Sequence, residues 1–363
     1  MYNHYNHTYN AIKRKYEFCA KNNFELINWQ NSLKKSLSKL LGLENIKFDL
    51  NNHEPSFEMH KSDDMGDYIR EEWKMLTEPS VLLPFYVLRP KGQKNKLPLA
   101  LTPHGHNHPD IYVGIANNPE EEKQIIEDEF DIACQTVKEG YLTIAPTTRA
   151  FGKTRTTIDQ KNKQLSSCRS LLMQTLLIGR TPIGERVWDI SRLIDWAINS
   201  QNIDSKRIAI IGNSGGATVA LHAAACDNRI SAVVASCYFC TYKGSIGSIY
   251  HCDCNYIPNI LRIAEMYEIA GLIAPRPFLA IAGKKDMIFP INQVQYAFNK
   301  LQEIYNVTNL SNNCKLYIGE GGHRHYKSAA LNFIEKGLSL CYNVKSEILH
   351  YITVKTKTCL VLT

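Results

Sequence analysis

The segment Gly212-Asn213-Ser214-Gly215-Gly216 has the residues and spacing for covalent chemistry. It is a G-x-S-x-G pattern, with an apolar run ending at Ile211 before it and the small-residue run Ala217–Ala225 after it. A strand, a tight turn and a helix in that order would lift a serine hydroxyl above a sheet edge. Glycines leave room for the strained turn. The backbone N–H of Gly215 would open the helix, where a donor can meet an oxyanion. A serine hydroxyl is a weak nucleophile near neutral pH, so it needs a base, and the base needs an orienting acid. Two later strand ends supply them. Leu279–Gly283 runs into Lys284-Lys285-Asp286, and Leu316-Tyr317-Ile318 runs into Gly319-Glu320-Gly321-Gly322-His323. The order serine, acid, histidine suits a nucleophile carried on such a turn. His325 competes with His323 as the base, but Gly321-Gly322 lets the backbone present His323. A second oxyanion donor is expected from the loop Pro103-His104-Gly105-His106-Asn107, at the N–H of about His106.

These residues need a scaffold. Short apolar runs at Leu97–Thr102, Tyr141–Ala145, Arg207–Ile211, Ala232–Ser236, Phe278–Ala282 and Lys315–Ile318 read as strands. Helical patterns separate them at Ile125–Glu139, Ile183–Ile198, Ala217–Ala225 and Val294–Tyr305, and Ser328–Leu340 follows the last strand. That alternation predicts an α/β fold with a mostly parallel central sheet flanked by helices. Tyr68–Leu76 and Val81–Leu88 read as a hairpin. Ahead of it, Ala11–Leu43 reads as a helix stopped by Gly42, and 44–64 as a polar loop. The expected division is a helical extension over 1–60, a catalytic domain over 61–342 and a tail over 343–363.

With 44% hydrophobic and 21% charged residues among 363, the composition is globular. No apolar run reaches bilayer-spanning length, so no membrane association is expected. The net charge of +7 comes from scattered residues rather than a basic stripe, so no nucleic acid is expected as partner. The eleven cysteines are too sparse for a disulfide scaffold, and no signal-peptide pattern opens the chain. A cytoplasmic setting is the expectation.

The motifs resemble those of the α/β-hydrolase superfamily. They are more specifically similar to the acetylxylan-esterase-like and dienelactone-hydrolase-like serine hydrolases related to the prolyl oligopeptidase catalytic domain. Beyond the serine motif, the resemblance is carried by Pro103-His104-Gly105-His106, Pro182–Asp189, Ile273–Pro277, Lys285-Asp286 and Gly321–Arg324. It implies a Ser214, Asp286, His323 triad cleaving carboxylic esters without a cofactor or a metal. Small acyl esters such as acetyl esters of carbohydrates are the expected substrates. A peptidase or amidase with the same triad, or a hydrolase fold used only for binding, stays open. Oligomeric state is not indicated.

Other clusters compete for attention. The run His104 to Asp110 is rich in metal-ligand residues but out of register for a two-metal hydrolase, and His104 is expected to be structural. Cys237-x2-Cys240 and Cys252-x-Cys254, with His251, could hold zinc or pair as disulfides, although free buried cysteines are preferred. Arg149-Ala150-Phe151-Gly152 is expected mainly to pack. Glu185 suits a helix start, and Arg186 is expected in a buried ion pair. The insertion 153–181 is expected to form a lid over the site.

Overall fold

The computed structural model describes residues 2–338. Nine strands form one sheet: β1 Ser56–Asp64, β2 Tyr68–Glu78, β3 Val81–Pro90, β4 Leu97–Leu101, β5 Leu142–Pro146, β6 Ile203–Asn213, β7 Ala232–Ser236, β8 Phe278–Gly283 and β9 Cys314–Gly319. Their order across the sheet is β1-β2-β3-β5-β4-β6-β7-β8-β9. The first three form an antiparallel meander joined antiparallel to β5, and the remaining pairs are parallel. Every residue of β4, β5, β7 and β8 is buried. Helices on the faces of a parallel sheet impose that burial, which is why these strands are continuously apolar. The α/β-hydrolase architecture expected from the sequence is therefore the one observed.

The chain runs from β4 outward to β5 on one side, and from β6 outward to β7 on the other. Adjacent connections that leave in opposite directions open a crevice at the carboxyl ends of the two strands, where parallel-sheet sites form. The loop after β4 and the turn after β6 flank that crevice.

The helix Pro182–Ser200 shows how local sequence and packing agree. Thr181 caps it by accepting from the N–H of Gly184, Pro182 occupies its first turn, and Ile183, Val187, Ile190, Ile194 and Ala197 are buried along one stripe.

Three sequence expectations are corrected. The helix expected over Ala11–Leu43 begins only at Asn23, capped by Asn22, and a separate helix spans Tyr2–Ala11. The expected polar loop 44–64 is a helix, Leu43–Leu50, followed by β1. The helix buries only Ile46 and Leu50, and β1 is an edge strand with mostly exposed residues, so neither carries a strong apolar period. The helix expected over Ile125–Glu139 is two, Pro119–Ile126 and Ile132–Lys138, separated by a turn with Glu129 at φ 58°. β1 crosses residue 60, and Leu26, Trp29, Leu33, Leu37 and Leu41 of the leading helix lie in the main core. The last helix is described over 327–338. Leu340 and the expected tail 343–363 lie outside the described residues. No helix among the described residues is long and apolar enough to cross a membrane.

Candidate active site

Ser214 follows β6 and caps the helix Gly215–Cys226, with φ 54° and ψ −120°. A serine rarely adopts a positive φ, so neighbouring structure must hold it there. Its N–H donates to the carbonyl of Ser236 at the end of β7, 2.8 Å away. The flanking glycines are required by close approach. A Cβ at Gly212 would lie 2.1 Å from the carbonyl oxygen of Gly216, and one at Gly216 would lie 2.0 Å from that of Pro103. Backbone packs on backbone at both points, so neither position could yield to a side chain. The elbow is thereby wedged against the β4 loop.

Asp286 follows β8 and His323 follows β9, two adjacent parallel strands. The Lys284 N–H donates to the Gly319 carbonyl at 2.8 Å and the Lys285 N–H to that of Gly321 at 2.9 Å, which laces the two loops together. His323 Nδ1 and Asp286 Oδ2 are 2.8 Å apart. The other carboxylate oxygen accepts from the N–H groups of Ile288 at 2.8 Å and Phe289 at 3.2 Å. Burial alone would raise the Asp286 pKa. The His323 hydrogen bond and charge and the two N–H donors outweigh it and hold the carboxyl below its ordinary range. Asp286 is 1% exposed at its side chain and His323 is 23% exposed, so the acid is shielded while the imidazole reaches solvent. The Phe289 ring stacks on His323 with centroids 5.8 Å apart and fixes the imidazole plane.

His325 is fully buried, neither of its ring nitrogens has a partner among the described residues, and burial pushes its pKa down to about 3. The Asp286 partner is therefore His323.

The β4 loop is held from below. His104 Nδ1 lies 2.7 Å from the Gly105 carbonyl, and its Nε2 accepts from the N–H and hydroxyl of Thr148, both at 2.9 Å. Burial pushes His104 down to about 3, so it stays neutral and structural, as the sequence suggested. The Gly105 N–H donates to the Tyr112 hydroxyl at 2.9 Å. Among the described residues, neither the Gly215 N–H nor the His106 N–H has a hydrogen-bond partner.

Several neighbours carry more than the sequence indicated. Arg149 forms ion pairs with Asp189 at 2.8 Å, Glu185 at 3.2 Å and Glu78 at 2.5 Å, and Arg180 pairs with Glu78, Glu185 and Asp49. The packing role expected for Arg149 is thus a buried ion network. Arg186, expected in an ion pair, has no carboxylate partner among the described residues. Its guanidinium donates to the Arg149 carbonyl at 2.9 Å and lies 3.5 Å from Cys168 Sγ. The two cysteine pairs do not meet as one set. Cys237 lies beside Asp286 and His323, whereas Cys252 and Cys254 gather with Cys168 and His106. The described cysteines are all free. Cys168 and Phe289 were legible only as apolar or small residues, since no motif marks either one. The insertion 153–181 contains the helices Thr157–Lys161 and Cys168–Leu177, and Cys168 anchors it near the β4 loop.

Sheet order, crevice and elbow together define an α/β-hydrolase fold. Residues 4–312 match the Abhydrolase family, and the chain belongs to it. It is 24% identical over 266 residues to YtaP of Bacillus subtilis (strain 168), provisionally named a hydrolase, covering 70% of this chain and 83% of that protein. A Bacteroides fragilis NCTC 9343 structure provisionally named an acetyl xylan esterase is similar with a TM-score of 0.72 and 18% identity, covering 90% of this chain and 82% of that one. A CE15 glucuronoyl esterase from Teredinibacter turnerae T7901 is similar with a TM-score of 0.62 and 16% identity, covering 92% and 88%. At these identities the solved structures show a shared fold.

Proposed function

We propose that the chain is a serine hydrolase that cleaves carboxylic esters through an acyl-enzyme. Ser214 attacks the ester carbonyl, and His323 takes its proton and returns it to the leaving alkoxide. Asp286 holds the imidazole in the tautomer that presents Nε2 to the serine. The N–H groups of Gly215 and His106 stabilise the tetrahedral oxyanion, worth roughly 3–4 kcal/mol per donor in comparable sites. Water then attacks the acyl-enzyme by the same route. The observation that carries this reading is the 2.8 Å contact between His323 and a shielded Asp286, on the same sheet edge as a serine held at positive φ.

The substrate is a small acyl ester, with acetyl groups on carbohydrate as the leading class, an inference supported by the esterases that share the fold. The catalytic unit is the sheet with its helices, and the leading helices extend its core. Free cysteines accord with a reducing compartment such as the cytoplasm.

A fluorophosphonate probe and a series of aryl esters of increasing acyl length test the reading. The wild-type chain is expected to label at Ser214 and to favour acetyl over longer acyl groups. Labelling that persists in Ser214→Ala would overturn the mechanism. Faster cleavage of short peptides than of aryl acetates would replace the esterase with a peptidase.

A further inference from the structure

We propose that His106, Cys168, Cys252 and Cys254 form a tetrahedral zinc site beside the nucleophile elbow. The four residues come from three separate segments: the loop after β4, the first residue of the helix Cys168–Leu177, and the single turn Asp253–Asn255 with its preceding residue. One ligand atom from each lies within 4.8 Å of all the others. His106 Nε2 is 3.2 Å from Cys254 Sγ, and the Cys252 and Cys254 sulfurs are 3.4 Å apart. Zinc bonds of about 2.3 Å to sulfur and 2.0 Å to nitrogen place tetrahedral ligand atoms about 3.5–3.8 Å apart. The cluster is gathered to that scale. Three sulfurs and an imidazole are soft donors that suit zinc and disfavour calcium or magnesium.

Arg186 supplies a second, independent observation. Its side chain is buried, it packs over the Phe151 ring at 5.5 Å, and it faces Cys168 without a carboxylate partner among the described residues. A buried guanidinium needs a compensating negative charge. Three thiolates, one zinc and a neutral imidazole carry a net charge of −1, which Arg186 balances. The three thiols lose their protons to solvent as the metal binds.

Four protein ligands close the coordination sphere, so the metal is structural and takes no part in bond breaking. It pins the His106 loop to the insertion 153–181. The His106 ring already lies against the start of the helix Gly215–Cys226, where a Cβ at Gly215 would sit 2.7 Å from ring Cε1. The metal site rests on its own geometry, and only an effect on turnover would depend on the esterase reading.

The test is metal analysis of the full-length chain, expressed with zinc in the medium and purified without chelators or a polyhistidine tag. About one zinc per chain is expected, with three sulfurs and one nitrogen around it by X-ray absorption. Cys168→Ser and Cys254→Ser should each lower zinc content by about tenfold or more, because serine does not replace thiolate as a ligand. Cys134→Ser, which alters a buried cysteine in another cluster, should keep its zinc. Because the wild-type stoichiometry and absorption need no variant, misfolding of a serine variant cannot mask the result. Zinc below about 0.2 per chain in the wild type would overturn the site, as would a Cys252–Cys254 disulfide in the unreduced protein. Zinc retained in a folded Cys254→Ser would also overturn it.

Discussion

The two walls of the crevice are built from different materials. On the β8–β9 side, Asp286 and His323 stand on adjacent strands whose loops are stitched by backbone hydrogen bonds, and each carboxylate oxygen has a nitrogen donor. That wall is complete in itself. On the β4 side, His106 stands among three sulfurs that no strand pairing holds together, with a buried arginine that has no carboxylate partner among the described residues. In the proposed mechanism the first wall needs only protons to work. The second gathers donors that are well matched to a metal and poorly matched to one another. A neighbouring cluster sharpens the contrast, since Arg149, whose carbonyl accepts from Arg186, is surrounded by Glu78, Glu185 and Asp189.

The proposed catalytic residues should break most sharply. Ser214→Ala is expected to lower ester turnover by about 10⁶-fold with the fold unchanged, read as loss of hydrolysis and of probe labelling. Asp286→Asn keeps the hydrogen-bonding shape but reverses the imidazole tautomer, so kcat should fall by about 10⁴-fold. If both variants kept activity within tenfold of wild type, the nucleophile would lie elsewhere. Arg149→Leu leaves three buried carboxylates without their common cation and should cost about 3–5 kcal/mol of stability in chemical denaturation. A loss below 1 kcal/mol would mean that the network does not hold the end of β2 and the loop after β5 to the helix Pro182–Ser200.

A smaller, graded effect separates protons from packing. His104, His222 and His325 are buried, and burial pushes their pKa values down to about 3, 4 and 3. In the unfolded chain each titrates near its ordinary value of about 6.5, so below that pH the unfolded state binds more protons. Stability should therefore be fully present above pH 6.5 and fall as the pH drops toward 4. The slope approaches roughly 1.4 kcal/mol per pH unit for each histidine. Asp286 adds a separate loss at lower pH, because its depressed folded pKa contributes stability that is present above the ordinary carboxylate value and lost as pH falls below it. Calorimetry across pH 4–8 reads the histidine contribution, the Asp286 loss falling below that range, and a flat profile would refute the neutral assignment of these histidines.

Much of the fold was legible because parallel strands covered on both faces must be apolar throughout. Ile208–Ile211, Ala232–Ser236 and Phe278–Ala282 show this directly, and β6, β7 and β8 lie over them. The serine turn was legible for a related reason, since only glycine tolerates backbone at 2 Å from a would-be Cβ. The leading region was misread where burial was one-sided or slight. An edge strand such as β1 pairs through its backbone, and backbone pairing leaves no side-chain period.

By itself, the sequence determined the sheet's inner strands, the glycine-bounded serine, and acid and base loops at two later strand ends. Those features are local, since each follows from strand burial or turn sterics over a few residues. Only the tertiary structure decided that His323 rather than His325 meets Asp286, that Arg149 rather than Arg186 joins the carboxylates, and that Cys168 joins His106, Cys252 and Cys254. Those pairings unite residues far apart in the chain, and their partners depend on which loops the strand order brings to one edge.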